Sequence, residues 1–167
     1  MTPFKPEAVQ AIEVCRRHAK DAFEGAKLLR EHGKPNFAYH LATIALEELG
    51  KGQLFGMRSF AKDEDDSWHL KQIDDHIKKL FWALWGQFLD VAKPDPKEID
   101  RLRDLATIIH ENRLSGLYVE VDPNPNNFVA PADLVTDDVL DPLMGLVESK
   151  LAMESITRGC GIHTGSY

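Results

Sequence analysis

The run from Phe37 to Phe55, FAYHLATIALEELGKGQLF, sets Glu47, Glu48 and Lys51 into an otherwise apolar helical pattern. On a helix advancing about 100° per residue, His40, Glu47 and Lys51 fall within roughly 20° of one line. Ionisable groups among Leu, Ile and Ala either face water or are buried with partners. Partners stand further along the chain. His76 and Lys79 share a helix face three residues apart, and Arg113 follows His110 by three and precedes Tyr118 by five. An arginine beside a histidine or tyrosine suits metal-independent cleavage of RNA. The planar guanidinium holds a phosphate through its fork of donors, and a neutral imidazole moves the proton of a 2′-hydroxyl. A phenol is the poorer base near neutral pH, its unperturbed pKa being about 10.

Plainer readings stand beside this one. Glu47 and Lys51, spaced i, i+4 in the favourable order, would also make a surface pair worth about 0.2–0.5 kcal/mol. Tyr118 would also fit as an amphipathic ring packed at a rim. Other chemistries lack their residues. A di-iron bundle needs Glu-x-x-His on two helices; no such pair occurs, and only Asp66-Ser-Trp-His69 comes near. There is no Cys-x-x-Cys, no Gly-x-Ser-x-Gly elbow and no glycine-rich phosphate loop. Gly50, Gly52 and Gly56 sit inside a helix, where small residues suit close approach of a neighbouring helix. The expectation is therefore no metal and no cofactor.

The elements that must position these residues read almost entirely as helix. The first helix runs from about Pro6 to His32, with Pro6 in its first turn and Gly33 at its stop. Val9, Ile12, Ala19, Phe23, Ala26 and Leu29 recur along it at three- and four-residue spacings. Pro35 opens a second helix to about Ala61. After the acidic loop Asp63–Asp66, Ser67 caps a third that ends near Ala92. Its apolar face is Ile73, Ile77, Leu80, Phe81, Leu84, Trp85 and Phe88. Pro94 and Pro96 break it, and a fourth helix follows from about Lys97 to Leu117, with Ile99, Leu102, Leu105, Ile108 and Ile109 expected inward. Its end at Gly116 would expose Arg113 and Tyr118.

From Val119 to Val135, three prolines and three asparagines predict a long loop. The last helix starts either at a Thr136 cap, with Asp137 and Asp138 on the positive end of its dipole, or at Asp141-Pro142. It ends before Gly159, leaving 160–167 as a frayed tail. Five helices with mostly short connections predict an all-α, up-and-down helical bundle in a single domain over 1–167, with its core at about 6–159.

Composition narrows the partners. A chain of 167 residues buries about two thirds of its unfolded surface in one domain. No apolar run is long enough to span a bilayer, and the start MTPFKPEAVQ has no secretory pattern. Cys15 and Cys160 read as reduced thiols of a cytoplasmic protein, Cys15 as core filler. The formal charge of −7, from 20 basic and 27 acidic residues, argues against non-specific binding of duplex DNA and leaves room for a local RNA site.

At Ala42-Thr-Ile-Ala-Leu-Glu-Glu-Leu-Gly-Lys51, His76-Ile-Lys-Lys79 and Arg113-Leu-Ser-Gly-Leu-Tyr-Val-Glu120, the chain resembles the AbiV family of phage abortive-infection proteins, within the HEPN superfamily. The resemblance covers Pro6 to about Gly159. It implies a bundle that dimerises with its groove across the two-fold interface, an antiviral or toxin-like action on RNA or translation, and a phage or host protein as a further partner. Many members are ribonucleases built on Arg, four to six residues, then His. Here Arg113 is followed after four residues by Tyr118, and Arg103 precedes His110 with six between; the Leu-Tyr-Val register favours Arg113 as the counterpart. The family pattern commonly ends Tyr-Val-Asp, where this chain has Glu120. On this resemblance Arg113 holds phosphate, Tyr118 or His110 assists chemistry, and Glu47, Lys51, His76 and Lys79 line or brace the groove. The alternative is a non-catalytic interaction module in which those polar groups only specify helix register and dimer geometry.

Overall fold

Among the described residues, four helices of ten residues or more pack around a fifth, the second in the chain. The computed structural model describes residues 6–59, 71–85, 95–121 and 128–159. Helix α1 is Pro6–Glu31, α2 Pro35–Arg58, α3 His76–Trp85 and α4 Pro96–Ser115. Then follow strands β1 (Glu120–Val121) and β2 (Phe128–Val129), a one-turn helix α5 (Pro131–Leu134) and α6 (Asp137–Gly159). The all-α bundle expected from the helical periodicity is the observed architecture.

Gly33 turns the chain between α1 and α2. It has a φ of +66°, a left-handed conformation that costs glycine no Cβ clash. Lys34 donates its N–H back to the Leu29 carbonyl, and Pro35 opens α2. The two helices therefore run antiparallel and pack along each other, while α2 also meets α3, α4, α5 and α6. That central place explains why α2 is apolar on several sides: Ala38, Tyr39, Ala42, Ala45, Leu46 and Leu49 are all buried. Ala19, Phe23 and Ala26 of α1, Leu80 and Leu84 of α3, Ile109 of α4, and Leu140, Leu143 and Val147 of α6 complete one core cluster.

Several expectations are corrected in detail. The third helix is interrupted at Asp75 between a helical segment at 71–74 and α3. The Asp75 carboxylate accepts the Lys78 N–H at 3.0 Å, so Asp75 caps a new helix start instead of continuing the old one. Ser67, Ala61, Phe88 and Ala92 lie outside the described residues, as do Asp66–His69 and the tail 160–167. In α4, Leu105 is 41 % exposed and Ile108 51 % exposed, so neither points inward. The inward line is Ala106, Ile109 and Arg113, a three- and four-residue spacing that follows the contact with α2 and α3. Val9 is likewise exposed, because α1 turns Ala8, Cys15, Ala19, Ala22 and Ala26 inward.

The Pro-rich segment holds a short antiparallel ladder, Glu120 opposite Val129 and Val121 opposite Phe128, before the turn of α5. The last helix uses the earlier of its two starts. The Thr136 carbonyl accepts the N–H groups of Val139 and Leu140, and Pro142 sits inside α6. Among the described residues, no helix is long and apolar enough to cross a membrane.

Candidate functional site

Gly50 is where the site begins. A Cβ built there would lie 1.8 Å from the backbone oxygen of Lys79 and 2.9 Å from the nitrogen of Ala83. Only glycine lets the backbones of α2 and α3 cross this closely. The crossing sets the first turn of α3 beside Glu47, one turn before Gly50 on α2. From the other flank, Asn36 of α2 donates to the Gly116 carbonyl at 3.1 Å and ties down the C-terminal end of α4. Arg113, in the last turn of α4, is thereby held against the same carboxylate.

The result is a buried ionic cluster drawn from three helices. Glu47 Oε1 accepts from Arg113 Nη1 at 3.2 Å, and Oε2 meets Lys79 Nζ at 3.1 Å and His76 Nδ1 at 2.7 Å. Glu47 is 4 % exposed, Lys79 8 % and Arg113 9 %, so one buried carboxylate faces two buried cations. Arg113 extends the cluster outward: its Nη2 donates to His110 Nδ1 at 3.3 Å. The imidazoles of His76 and His110 then stack with centroids 5.6 Å apart and planes at 23°. They line one open hollow with Lys71, Asp74, Asp75 and Ile77.

The partners dictate the tautomers. A guanidinium has only donors, so His110 Nδ1 accepts and the proton of its neutral ring is on Nε2. A carboxylate paired with two cations only accepts, so His76 Nδ1 donates and its neutral ring keeps a lone pair on Nε2. Burial, then the Arg113 charge, then His76, lower the pKa of His110 below its ordinary 6.5, which keeps this ring neutral at pH 7. His40 shifts the same way, by burial first and Arg113 second. Its Nδ1 and the Nε of Arg113 are buried with no hydrogen-bond partner among the described residues.

The structure thus gathers Glu47, His76, Lys79, His110 and Arg113, and leaves two of the expected residues apart. Lys51 pairs with Glu48, Nζ to Oε1 at 3.3 Å, and lines a separate hollow with Cys15 and His18 of α1. The i, i+4 spacing to Glu47 loses to Glu48 because Glu47 is committed to α3 and α4. Tyr118 is 65 % exposed beyond the end of α4 and takes no part in the cluster among the described residues. Arg113 itself is buried, against the exposure expected at the helix end, because α4 turns it toward α2. The spaced pair Arg103 and His110 is also divided: Arg103 is exposed and pairs with Asp100 at 3.2 Å. His40 belongs near the site although only its place on the Glu47 stripe pointed to it. Cys15 is core filler as expected, its thiol pushed up to about 12 by burial and then by Glu48. Among the described residues, no group of three or more His, Cys, Asp or Glu could hold a metal ion.

A HEPN family model described as AbiV matches residues 7–152, most of the chain. Neither the curated proteins nor the solved structures contain a match.

Proposed function

The chain belongs to the AbiV family of HEPN-fold abortive-infection proteins, and on that premise we propose that it cleaves RNA without a metal ion when a phage infects. The observation that carries this is the pairing of Arg113 with His110 over buried Glu47, with His110 neutral at the mouth of a hollow. In this reading Arg113 has a different role from the phosphate contact expected of it. Both of its terminal nitrogens are engaged, so it positions His110 and keeps the site positive, while His110 is the group presented to substrate. Tyr118 stands outside this role. A homodimer packs the exposed Leu105 and Ile108 of α4, both N-terminal to His110 in sequence, against a second copy.

The test is cleavage of labelled single-stranded RNA in EDTA, comparing the full chain with His110→Ala at matched circular dichroism. The wild type is expected to cleave and the variant, lacking the N–H aimed at the phosphate, to lose about 10²- to 10³-fold. No cleavage by the wild type, where a known ribonuclease works, overturns the proposal. A second reading would then stand, in which the protein is a non-catalytic interaction module for a phage or host protein. Its support is the burial of Arg113, whose ion pair with Glu47 also suffices to specify helix register.

A further inference from the structure

We propose that His76 is the base that moves the 2′-hydroxyl proton and that His110 donates its Nε2 proton as a hydrogen bond to the phosphate, with single-stranded RNA seated in the hollow between α3 and α4. This deepens the RNA-cleaving reading and rests on it. The two nitrogens of an imidazole are separated by one ring carbon, and their in-plane directions diverge widely. Both Nδ1 atoms turn inward, His76 to Glu47 and His110 to Arg113, so both Nε2 atoms turn away from the buried cluster. The near-parallel stack keeps the two rings together at the edge of one hollow. They are chemically unlike there: His76 offers a lone pair and His110 offers an N–H.

The side chain of His76 is 49 % exposed while its Nδ1 is anchored at 2.7 Å, so it is both reachable and held. Glu47 is placed to stabilise the imidazolium that forms when His76 takes a proton, as a carboxylate behind a histidine does in an acyl-transfer triad. The charges facing His76 are Glu47 from α2, Lys79 and Asp75 from its own helix start, His110 and Arg113 from α4, and Lys71 and Asp74 of the preceding segment in the same hollow. Asp75 is engaged by Lys78, through its N–H at 3.0 Å and its ammonium at 3.6 Å.

The step balances without water, metal or oxidant. His76 Nε2 takes the proton of the 2′-hydroxyl, the 2′-oxygen bonds to phosphorus, and the bond from phosphorus to the 5′-oxygen breaks. The same proton passes from His76 to the 5′-oxygen. The products are a 2′,3′-cyclic phosphate and a 5′-hydroxyl, and His76 returns to its starting state. The His110 N–H points at the non-bridging oxygen on which negative charge grows.

Glutamine substitutions separate the two roles in the full-length protein. His110→Gln keeps an N–H donor and is expected to retain at least about a tenth of wild-type cleavage, far above the loss set by acid–base catalysis. His76→Gln keeps a donor for Glu47, and with it the fold, but accepts no proton, so cleavage falls about 10²- to 10⁴-fold. Added imidazole restores His76→Ala, which a merely structural histidine would not allow. If wild type cleaves and His76→Gln cleaves equally, the base assignment fails and the ribonuclease reading survives. The reverse pattern, with His110→Gln inactive and His76→Gln active, makes His110 the base. A wild type that cleaves nothing overturns both.

Discussion

Glu47 is the residue on which most of the site depends. It is the shared acceptor for Arg113, Lys79 and His76, and the two cations among them, Arg113 and Lys79, are buried with it in a low-dielectric setting. Removing it strands Lys79 and Arg113 without their carboxylate. Glu47→Ala is therefore expected to cost about 3–5 kcal/mol of stability, read from the midpoint of urea unfolding. Glu47→Gln, which retains one acceptor oxygen, costs less. An unchanged midpoint in Glu47→Ala would mean that the cluster is open to water in solution. The neighbouring Glu48 carries no such load: it is part-exposed and serves Lys51 and His18. Adjacent glutamates on one helix thus have separate duties, because a step of about 100° turns them toward different neighbours.

At the scale of elements, the crossing of α2 and α3 decides whether the site exists. Gly50→Ala places a methyl 1.8 Å from a carbonyl oxygen of the α3 backbone, which cannot rotate aside as a side chain would. The helices must separate, and the expected cost is about 1–3 kcal/mol or more, with loss of RNA cleavage as His76 and Lys79 withdraw from Glu47. Gly52→Ala is the control. Its added methyl would lie 3.8 Å from Cys15 Cβ, an ordinary contact, and relief of glycine's helix penalty makes it neutral to stabilising by up to about 1 kcal/mol. Equal thermal midpoints for the two variants would refute the close-approach account of Gly50. The break at Asp75 before α3 matters for the same reason. By capping a new helix there, Asp75 starts α3 at His76 and aims that ring at Glu47.

At the scale of the molecule, α4 has two sides with different work. Ala106, Ile109 and Arg113 face the core, while Leu105 and Ile108 face out on the flank away from His110. Ile108→Glu is expected to shift sedimentation from dimer to monomer while leaving circular dichroism unchanged; a wild type that sediments as a monomer would overturn the dimer. The helical periodicity, Gly33, the Pro35 start, the break at Pro94 and Pro96 and the Glu-Glu-Leu-Gly-Lys stripe were all legible in the chain, because caps, turns and apolar spacing are local properties. They determined an all-α bundle, the buried candidacy of Glu47 and the family resemblance. Periodicity also marked Leu105 and Ile108 of α4 as inward along with Ile109, since it cannot say which of two apolar lines meets a neighbour. Which cation Glu47 takes, that Lys51 goes to Glu48, that Tyr118 stands in solvent and that His76 stacks on His110 depend on contacts 29 to 66 residues apart in sequence, such as Glu47 with His76 and Arg113. Such pairings are set by how three helices cross, and that was decided only by the tertiary structure.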